Sequence, residues 1–301
     1  MGVPNGVTVI DGTVIEGTLS YPDQKDEYTY TAPITGQYRF DFSSSDVQCD
    51  YRFYIYASNN KQLVSTLFSN NGRTVELTEG DTYTLNVKQY SGYPSYTITI
   101  GVPNTIQAIN GNSFSGSITY TGQIDTYTYV APVTGKYRFD LTSDNVKMDY
   151  RFYLYASNNA QLASTFYSNK GKTVDLVEGE TYRIEIKQNS GLENYTINIG
   201  VPDRISNVEG NTISGNLTYT DQENLYTYTA PVSGKYKFTF GTDDAKSDYR
   251  FYVISAINEQ IASSYYLNRN KTVQLEAGQV YTIKVKQSSG FPSYRIDISL
   301  E

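Results

Sequence analysis

The sequence predicts an all-β protein that consists of three tandem antiparallel β-sandwich domains of about eight strands each. Three observations lead to this prediction. A block of 99 residues occurs three times without insertion or deletion, so that Asp50–Tyr54 recurs as Asp149–Tyr153 and Asp248–Tyr252. Within each block, apolar and polar residues alternate over short runs, which is the period of a strand with one buried face. Clusters of glycine and proline separate these runs.

The first repeat gives the predicted strands in order, at about 14–20, 26–31, 36–43, 50–57, 62–68, 73–78, 82–89 and 95–100. Tyr38, Phe40 and Phe42 alternate with polar residues, which assigns these three rings to the core. The segments 32–36 and 79–81 recur in every repeat with glycine or proline and are predicted turns. Gly72 and Gly171 become Asn270 in the third repeat. Because glycine and asparagine both tolerate the left-handed backbone, we predict a positive φ there.

The repeat places the predicted domain boundaries at 1–100, 101–199 and 200–301. A period of 99 residues is too long for a solenoid unit and long enough for an independent core. The links Gly101–Asn104 and Gly200–Asp203 are short and each contains a proline. We therefore expect stiff connections between the domains.

Composition and repetition together exclude most catalytic sites. The chain contains no histidine and a single cysteine, Cys49, which the other repeats replace by Met148 and Ser247. Ser-His-Asp catalysis and histidine-based zinc sites are therefore excluded. One acidic position stays acidic in all three repeats, at Asp50, Asp149 and Asp248. Since glycoside hydrolysis needs two placed carboxylates, we predict a protein that is not an enzyme and has no cofactor.

Charge and hydropathy argue against two further classes of protein, those that bind nucleic acid and those that span a membrane. The net charge of −7 disfavours nucleic acid as a partner, because phosphate binding needs a basic surface. No apolar stretch of about 20 residues occurs, so no membrane span is predicted. The chain carries no visible secretory signal, and we interpret it as a segment of a longer protein. The alternative is a native protein without a leader.

The central strand of each repeat carries the strongest candidate binding surface. Tyr51, Phe53 and Ile55 share one face of this strand, which we assign to the core. The opposite face of each repeat offers flat rings and fixed hydrogen-bond donors, which suit a polysaccharide or an extended protein ligand. The predicted ligand-binding residues are Arg52, Tyr54, Tyr56, Arg151, Tyr153, Tyr155, Arg250 and Tyr252. The alternative is that loops cover these rings or that they pair across strands.

Two other polar sets recur. Oxygen ligands in one loop suit calcium, and the weak candidates are Asp46, Asp50, Asp149, Asp244 and Asp248. The alternative interpretation is that these aspartates cap turns. The pair Lys88-Gln89 recurs as Lys187-Gln188 and Lys286-Gln287. We interpret the lysine as protection of an edge strand.

Several motifs in each repeat are similar to one known family. In the first repeat they are Gly17-Thr18-Leu19, Asp23–Tyr28, Gly36–Phe40, Gly80–Val87, Ser91-Gly92 and Tyr96-Thr97-Ile98. This pattern resembles the bacterial pre-peptidase C-terminal domain, which is related to the collagen-binding domains of clostridial collagenases. The resemblance implies a jelly-roll-like sandwich without catalytic activity, appended to secreted enzymes, some members of which bind extracellular polymers. Some related domains bind calcium, but Asp23 becomes Gly122 and Asp26 becomes Asn224, so a calcium site at that turn is not carried over.

These observations favour a tandem binding module of a secreted or cell-surface bacterial protein. Its expected partner is an extracellular polymer, either a polysaccharide or a fibrous protein such as collagen, bound by avidity. The alternative is a structural or adhesive spacer, such as a stalk, surface-layer or appendage protein. Such a spacer would self-associate through its tyrosine-rich faces.

Overall fold

The computed structural model describes residues 6–21, 23–46, 50–66, 72–92, 95–143, 149–165, 171–188, 191–192, 194–243, 248–264, 270–287 and 290–301. These residues form 27 strands in six sheets, which group into three units of two sheets each. The prediction of an all-β protein with three tandem β-sandwiches is confirmed. The described residues contain no helix that is long and apolar enough to span a membrane.

Nine strands make up each unit. The first unit contains β1 (Thr8–Val9), β2 (Val14–Thr18), β3 (Lys25–Thr31), β4 (Gly36–Ser44), β5 (Tyr51–Tyr56), β6 (Gln62–Ser65), β7 (Gly72–Leu77), β8 (Thr82–Gln89) and β9 (Ser95–Gly101). The second contains β10 (Gln107–Ala108), β11 (Ser113–Ser117), β12 (Ile124–Val130), β13 (Gly135–Ser143), β14 (Tyr150–Tyr155), β15 (Gln161–Ser164), β16 (Gly171–Leu176), β17 (Thr181–Gln188) and β18 (Asn194–Gly200). The third contains β19 (Ser206–Asn207), β20 (Thr212–Asn216), β21 (Glu223–Thr229), β22 (Gly234–Thr242), β23 (Tyr249–Ile254), β24 (Gln260–Ser263), β25 (Lys271–Leu275), β26 (Val280–Gln287) and β27 (Ser293–Leu300).

The two sheets of a unit have the same strand order in all three units. In the first unit, the five-stranded sheet runs β1-β3-β8-β5-β6 and the four-stranded sheet runs β2-β9-β4-β7. All pairings are antiparallel except β1 with β3 and its counterparts, which are parallel. The predicted eight strands therefore missed β1, because a strand of two residues is too short to show an alternating pattern.

The core of each unit lies between its two sheets and is aromatic. Phe42 of the four-stranded sheet stacks on Phe53 of the five-stranded sheet, with ring centres 6.0 Å apart and planes at 22°. Phe240 and Phe251 repeat this contact at 6.0 Å and 16°. The largest fully buried side chains are rings, and they belong to the alternating runs: Tyr38, Phe40, Tyr51, Phe53, Tyr96, Tyr137, Phe139, Tyr150, Phe152, Tyr195, Phe238 and Tyr249.

Core tyrosines also hold the turns, which explains why tyrosine takes places that phenylalanine would otherwise fill. The hydroxyl of Tyr38 donates to the carbonyl of Ile34 at 2.8 Å, within the turn before its own strand. The hydroxyl of Tyr83 accepts a hydrogen bond from the backbone N–H of Thr78 at 2.9 Å. Both bonds recur in the other units. Each ring therefore packs in the core while its polar end satisfies a turn.

The prediction of a positive φ at Gly72 is wrong, because a different constraint selects glycine there. Neither Gly72 and Gly171 nor Asn270 has a positive φ. A Cβ on Gly72 would lie 1.9 Å from an oxygen of Asp41 and 2.2 Å from the guanidinium of Arg39. The third unit has lysine and threonine in place of this ion pair, at 237 and 239, and there the glycine becomes asparagine.

Adjacent units meet through the same contact at both joints. The ring of Tyr120 lies on Gly101, where a Cβ would approach it to 2.5 Å, and its hydroxyl donates to the carbonyl of Gln37 at 3.1 Å. Tyr219 lies on Gly200 in the same way and donates to the carbonyl of Lys136 at 2.8 Å. The boundaries 1–100, 101–199 and 200–301 stay a prediction.

Candidate ligand-binding face

The candidate face is the outer surface of the five-stranded sheet in each unit. Residues alternate along β5, so that Tyr51, Phe53 and Ile55 are buried in the core. Arg52, Tyr54 and Tyr56 point outward and are half-buried. The strands β14 and β23 repeat this pattern, which places Arg151, Tyr153, Tyr155, Arg250 and Tyr252 on the corresponding faces. All eight predicted site residues therefore lie on outer faces, although their binding role stays a proposal.

Neighbouring tyrosines on the same strand form a flat platform. The rings of Tyr54 and Tyr56 have centres 6.3 Å apart and planes at 24°. Those of Tyr153 and Tyr155 have centres 6.5 Å apart and planes at 18°. In the third unit Ile254 takes the place of the second ring, so only Tyr252 remains. A pair of nearly parallel rings adds apolar surface to this face, with hydroxyl groups at its edge.

The arginine beside each platform is held by the aspartate two residues before it. Nη2 of Arg52 lies 3.1 Å from Oδ2 of Asp50. The corresponding distances are 2.9 Å for Arg151 with Asp149 and 3.3 Å for Arg250 with Asp248. This hydrogen bond raises the pKa of each arginine. The guanidinium is therefore fixed in place before any ligand arrives.

A lysine completes the repeated arrangement. Lys88 lies directly across from Arg52 on the neighbouring strand, as do Lys187 and Lys286 from their arginines. The ammonium groups lie over the rings of Tyr54, Tyr153 and Tyr252, at 5.8, 5.0 and 5.2 Å from the ring centres. The interpretation of this lysine as edge protection is wrong, because β8 and its counterparts are the middle strands of their sheets.

The lysine and arginine carry like charges, and directly opposed like charges across two strands are destabilising. The pair is nevertheless present in all three units. Charged residues that differ between the units also lie on these faces. Together with the retained residues they give each face three cations and two carboxylates. The charged residues are Lys25, Glu27, Asp50, Arg52 and Lys88, then Asp149, Arg151, Arg183, Glu185 and Lys187, and then Glu223, Asp248, Arg250, Lys284 and Lys286. An acidic protein thus keeps a slightly positive surface at the same place three times.

Three further cation–ring contacts were not predicted, because their residues differ between the repeats. The guanidinium of Arg52 lies 4.1 Å from the ring centre of the exposed Tyr90, and that of Arg183 lies 4.3 Å from the ring centre of Tyr155. In the third unit the ammonium of Lys284 lies 5.2 Å from the ring centre of Tyr252. The platforms of the second and third units therefore each have two cations over their rings, while in the first unit the second cation contacts Tyr90.

The calcium candidates serve mainly as partners of arginine. Asp50, Asp149 and Asp248 each bind the arginine of their own strand. Asp46 exchanges backbone hydrogen bonds with the hydroxyl of Ser44, and Asp244 lies outside the described residues. Within the described part of the chain, no group of three or more acidic, cysteine or histidine side chains is placed to hold a metal ion.

A scan against protein-family models finds no match, and neither does a comparison with curated proteins. Among solved structures, the pre-peptidase C-terminal domain of a collagenase from Bacillus anthracis is similar over 34% of this chain and 100% of that domain, with 17% identity and a TM-score of 0.30. The CUB1-EGF-CUB2 domains of rat MASP-1 are similar over 64% of this chain and 99% of theirs, with 7% identity and a TM-score of 0.23. The PBSX exported protein XepA is similar over 63% of this chain and 87% of its own, with 10% identity and a TM-score of 0.22. These scores are low, and no functional argument rests on them.

Proposed function

We propose that this chain is a non-catalytic tandem binding module that holds an extracellular polymer on the outer faces of its five-stranded sheets. The polymer is a polysaccharide or a fibrous protein, and the module belongs to a secreted or cell-surface protein. One observation carries the proposal. The same tyrosine, lysine and aspartate-bound arginine occupy the same sheet position in all three units.

The chemistry of the face suits binding. Half-buried rings supply apolar contact area at a small entropic cost, because a tyrosine has few rotatable bonds. The arginine is already fixed by its aspartate, so little side-chain freedom is lost when a ligand accepts its hydrogen bonds. The retained aspartates are engaged with arginine, which gives them a positioning role.

A pull-down of the full chain with insoluble polysaccharides and with collagen tests this function. The test variant replaces Arg52 and Tyr54 and their counterparts Arg151, Tyr153, Arg250 and Tyr252 by alanine. We expect this variant to remain folded by circular dichroism and to lose binding to the polymer that the wild type retains. The matched control is Arg39→Ala, which removes an aspartate-paired arginine from the outer face of the other sheet. Equal binding by the six-residue variant and the wild type would refute the proposed face.

A structural or adhesive spacer is the second candidate, and the repeated joints favour it. Tyr120 and Tyr219 fix each joint through the same ring contact and the same hydrogen bond. A spacer needs such fixed joints whether or not it binds a ligand. If the full chain binds no polymer and instead self-associates as its concentration rises, as analytical ultracentrifugation would detect, the spacer replaces the binding module.

A further inference from the structure

A polar cavity of about 470 Å³ lies between the second and third units. Lys136 of the second unit lines one side, and the third unit contributes Asp221, Glu223, Arg250, Lys286 and Gln287. This volume falls within the range of small-molecule sites in proteins. Arg250 and Lys286 belong to the outer face as well, so the cavity opens beside the Tyr252 platform.

Several buried polar atoms at this cavity have no partner. Gln287 is only 6% exposed, and neither atom of its side-chain amide has a hydrogen-bond partner among the described residues. Nε of Arg250 also lacks a partner within that part of the chain. Because an unpaired buried polar group costs stability, nearly all such groups in proteins are satisfied. Here either water or a ligand in the cavity has to supply the missing partners.

The same feature recurs in the other units. Oε1 of Gln89 and Oε1 of Gln188, the counterparts of Gln287, are likewise buried without a partner among the residues described. The first unit has a cavity of about 500 Å³ lined by Asp23, Lys88 and Gln89, which correspond to Asp221, Lys286 and Gln287. The retained Lys-Gln pair therefore lines a cavity in the first and third units, and its amide oxygen is unpaired among the described residues of all three units.

The composition of the cavity selects the class of ligand. The cations Lys136, Arg250 and Lys286 are balanced by the carboxylates of Asp175, Asp221 and Glu223. The unpaired atoms at the cavity are two donors, Nε of Arg250 and Nε2 of Gln287, and one acceptor, Oε1 of Gln287. An anion would satisfy only the donors and a cation only the acceptor, whereas each hydroxyl group both donates and accepts.

We infer that this cavity binds a sugar unit of a neutral polysaccharide whose neighbouring unit stacks on Tyr252. The inference rests on the proposed function and narrows its ligand to carbohydrate. It also makes the site composite, because Lys136 belongs to the preceding unit. The tandem arrangement thus completes a site that the third unit does not form alone.

Calorimetric titration of the full chain with cello-, chito- and xylo-oligosaccharides tests the inference. Gln287→Leu removes both unpaired amide atoms at nearly constant volume. We expect it to weaken binding by roughly tenfold and to raise the Tm, since it removes a buried polar group that nothing satisfies in the free protein. Lys136→Met is expected to weaken binding from the opposite wall. The stability control is Gln222→Leu, which removes an amide bonded to Thr218 and Asn224 and should lower the Tm.

The outcomes separate the inference from the proposed function. If Tyr252→Ala weakens binding while Gln287→Leu and Lys136→Met bind like the wild type, the cavity is not part of the site, although the face remains one. If Gln287→Leu lowers the Tm and leaves the affinity unchanged, the amide serves an internal water network and the inference fails. If no oligosaccharide binds the wild type, the carbohydrate class is overturned, and the collagen pull-down decides the proposed function separately.

Discussion

At the scale of single residues, a buried hydrogen-bond cluster keeps its shape while one of its members changes. In the first unit, the hydroxyl of Tyr96 donates to Oδ2 of Asp26 at 2.6 Å and contacts the hydroxyl of Tyr28 at 2.7 Å. In the third unit, Nδ2 of Asn224 instead donates to the hydroxyl of Tyr294 at 3.0 Å. The amide reverses the direction of one bond and preserves the contact. The change from aspartate to asparagine is thus compatible with the fold without any metal.

The turn before this cluster has the same backbone conformation in all three units, although one of its residues changes. Asp23, Gly122 and Asp221 occupy one position and have φ values of 61°, 86° and 64°. Glycine and aspartate both tolerate this left-handed conformation. The exchange of Asp23 for Gly122 therefore follows from the shape of the turn.

The buried tyrosines predict how stability depends on alkaline pH. Burial raises the pKa of Tyr30 from 10.0 to about 12 and also raises the pKa of Tyr28, Tyr38, Tyr127 and Tyr137. Below pH 10 these groups are protonated in both states, so they add no pH dependence. Between pH 10 and about 12 the unfolded chain loses the Tyr30 proton while the folded chain keeps it. We expect the free energy of unfolding to fall there, by on the order of 1 kcal/mol per pH unit for each such tyrosine.

Urea denaturation at a series of pH values, followed by circular dichroism, measures this effect. Tyr129→Phe and Tyr228→Phe are suitable controls, because their hydroxyls are buried without a hydrogen-bond partner among the described residues. Each variant should reduce the alkaline loss of stability and cost little at neutral pH. A midpoint that stays constant up to pH 12 would contradict the prediction.

At the scale of the elements, position within the sheet decides what a residue does. β8 lies between β3 and β5, so an outward lysine on β8 faces neighbours on both sides. The same lysine on an edge strand would face water and a possible pairing partner. The sequence pattern of β8 does not distinguish these two positions, because both produce the same alternation of apolar and polar residues.

The joint between the second and third units combines the Tyr219 contact with ion pairs such as Arg204 with Glu178 and Lys136 with Glu223, and the tyrosine gives a prediction about the link. Tyr219→Ala removes a buried ring and its hydrogen bond to the carbonyl of Lys136. We expect the joint to lose about 2–3 kcal/mol of contact energy and limited proteolysis to cleave the chain near residues 200–204 at lower protease concentration. The matched control is Tyr21→Ala, which changes the half-exposed counterpart in the first unit. Equal cleavage of both variants would show that Tyr219 does not hold the joint.

At the scale of the whole molecule, the same local charge balance recurs on the outer face of each unit. The chain carries a net charge of −7, yet each candidate face holds one more cation than carboxylates. The faces differ in sequence, since arginine, lysine or asparagine can fill the variable positions, but the total is the same. Three weakly binding faces on one chain can bind a polymer far more tightly than any face alone.

Removing the faces one at a time tests this arrangement. Alanine at Tyr54, then also at Tyr153, and then also at Tyr252 should reduce the affinity for an insoluble polymer more steeply at each step. Avidity over linked sites can reach roughly 10²–10⁴ beyond a single site, so we expect losses on that scale. For a short soluble ligand, the same series should lower only the number of molecules bound per chain. Equal, small losses for the polymer at every step would argue that the faces act independently.

The amino-acid sequence by itself determined the number of units, the all-β class and the faces of the central strands. It could do so because a strand repeats every two residues and the chain repeats every 99, so Tyr51 and Tyr54 are assigned to opposite faces without any tertiary information. The same local rules predicted the turns around Gly80, Gly179 and Gly278, where φ is positive.

Only the tertiary structure decided which strands are neighbours, and the site depends on that. The opposition of Arg52 and Lys88, the approach of Asp41 to Gly72 and the cavity between two units all join residues far apart in the chain. Hydrogen bonds between strands join residues that are far apart in the sequence. A local pattern does not identify these partners, because an alternating run fits an edge or a middle position of a sheet equally well. The sequence therefore supplies the chemistry of each face, and strand order determines which side chains combine into a site.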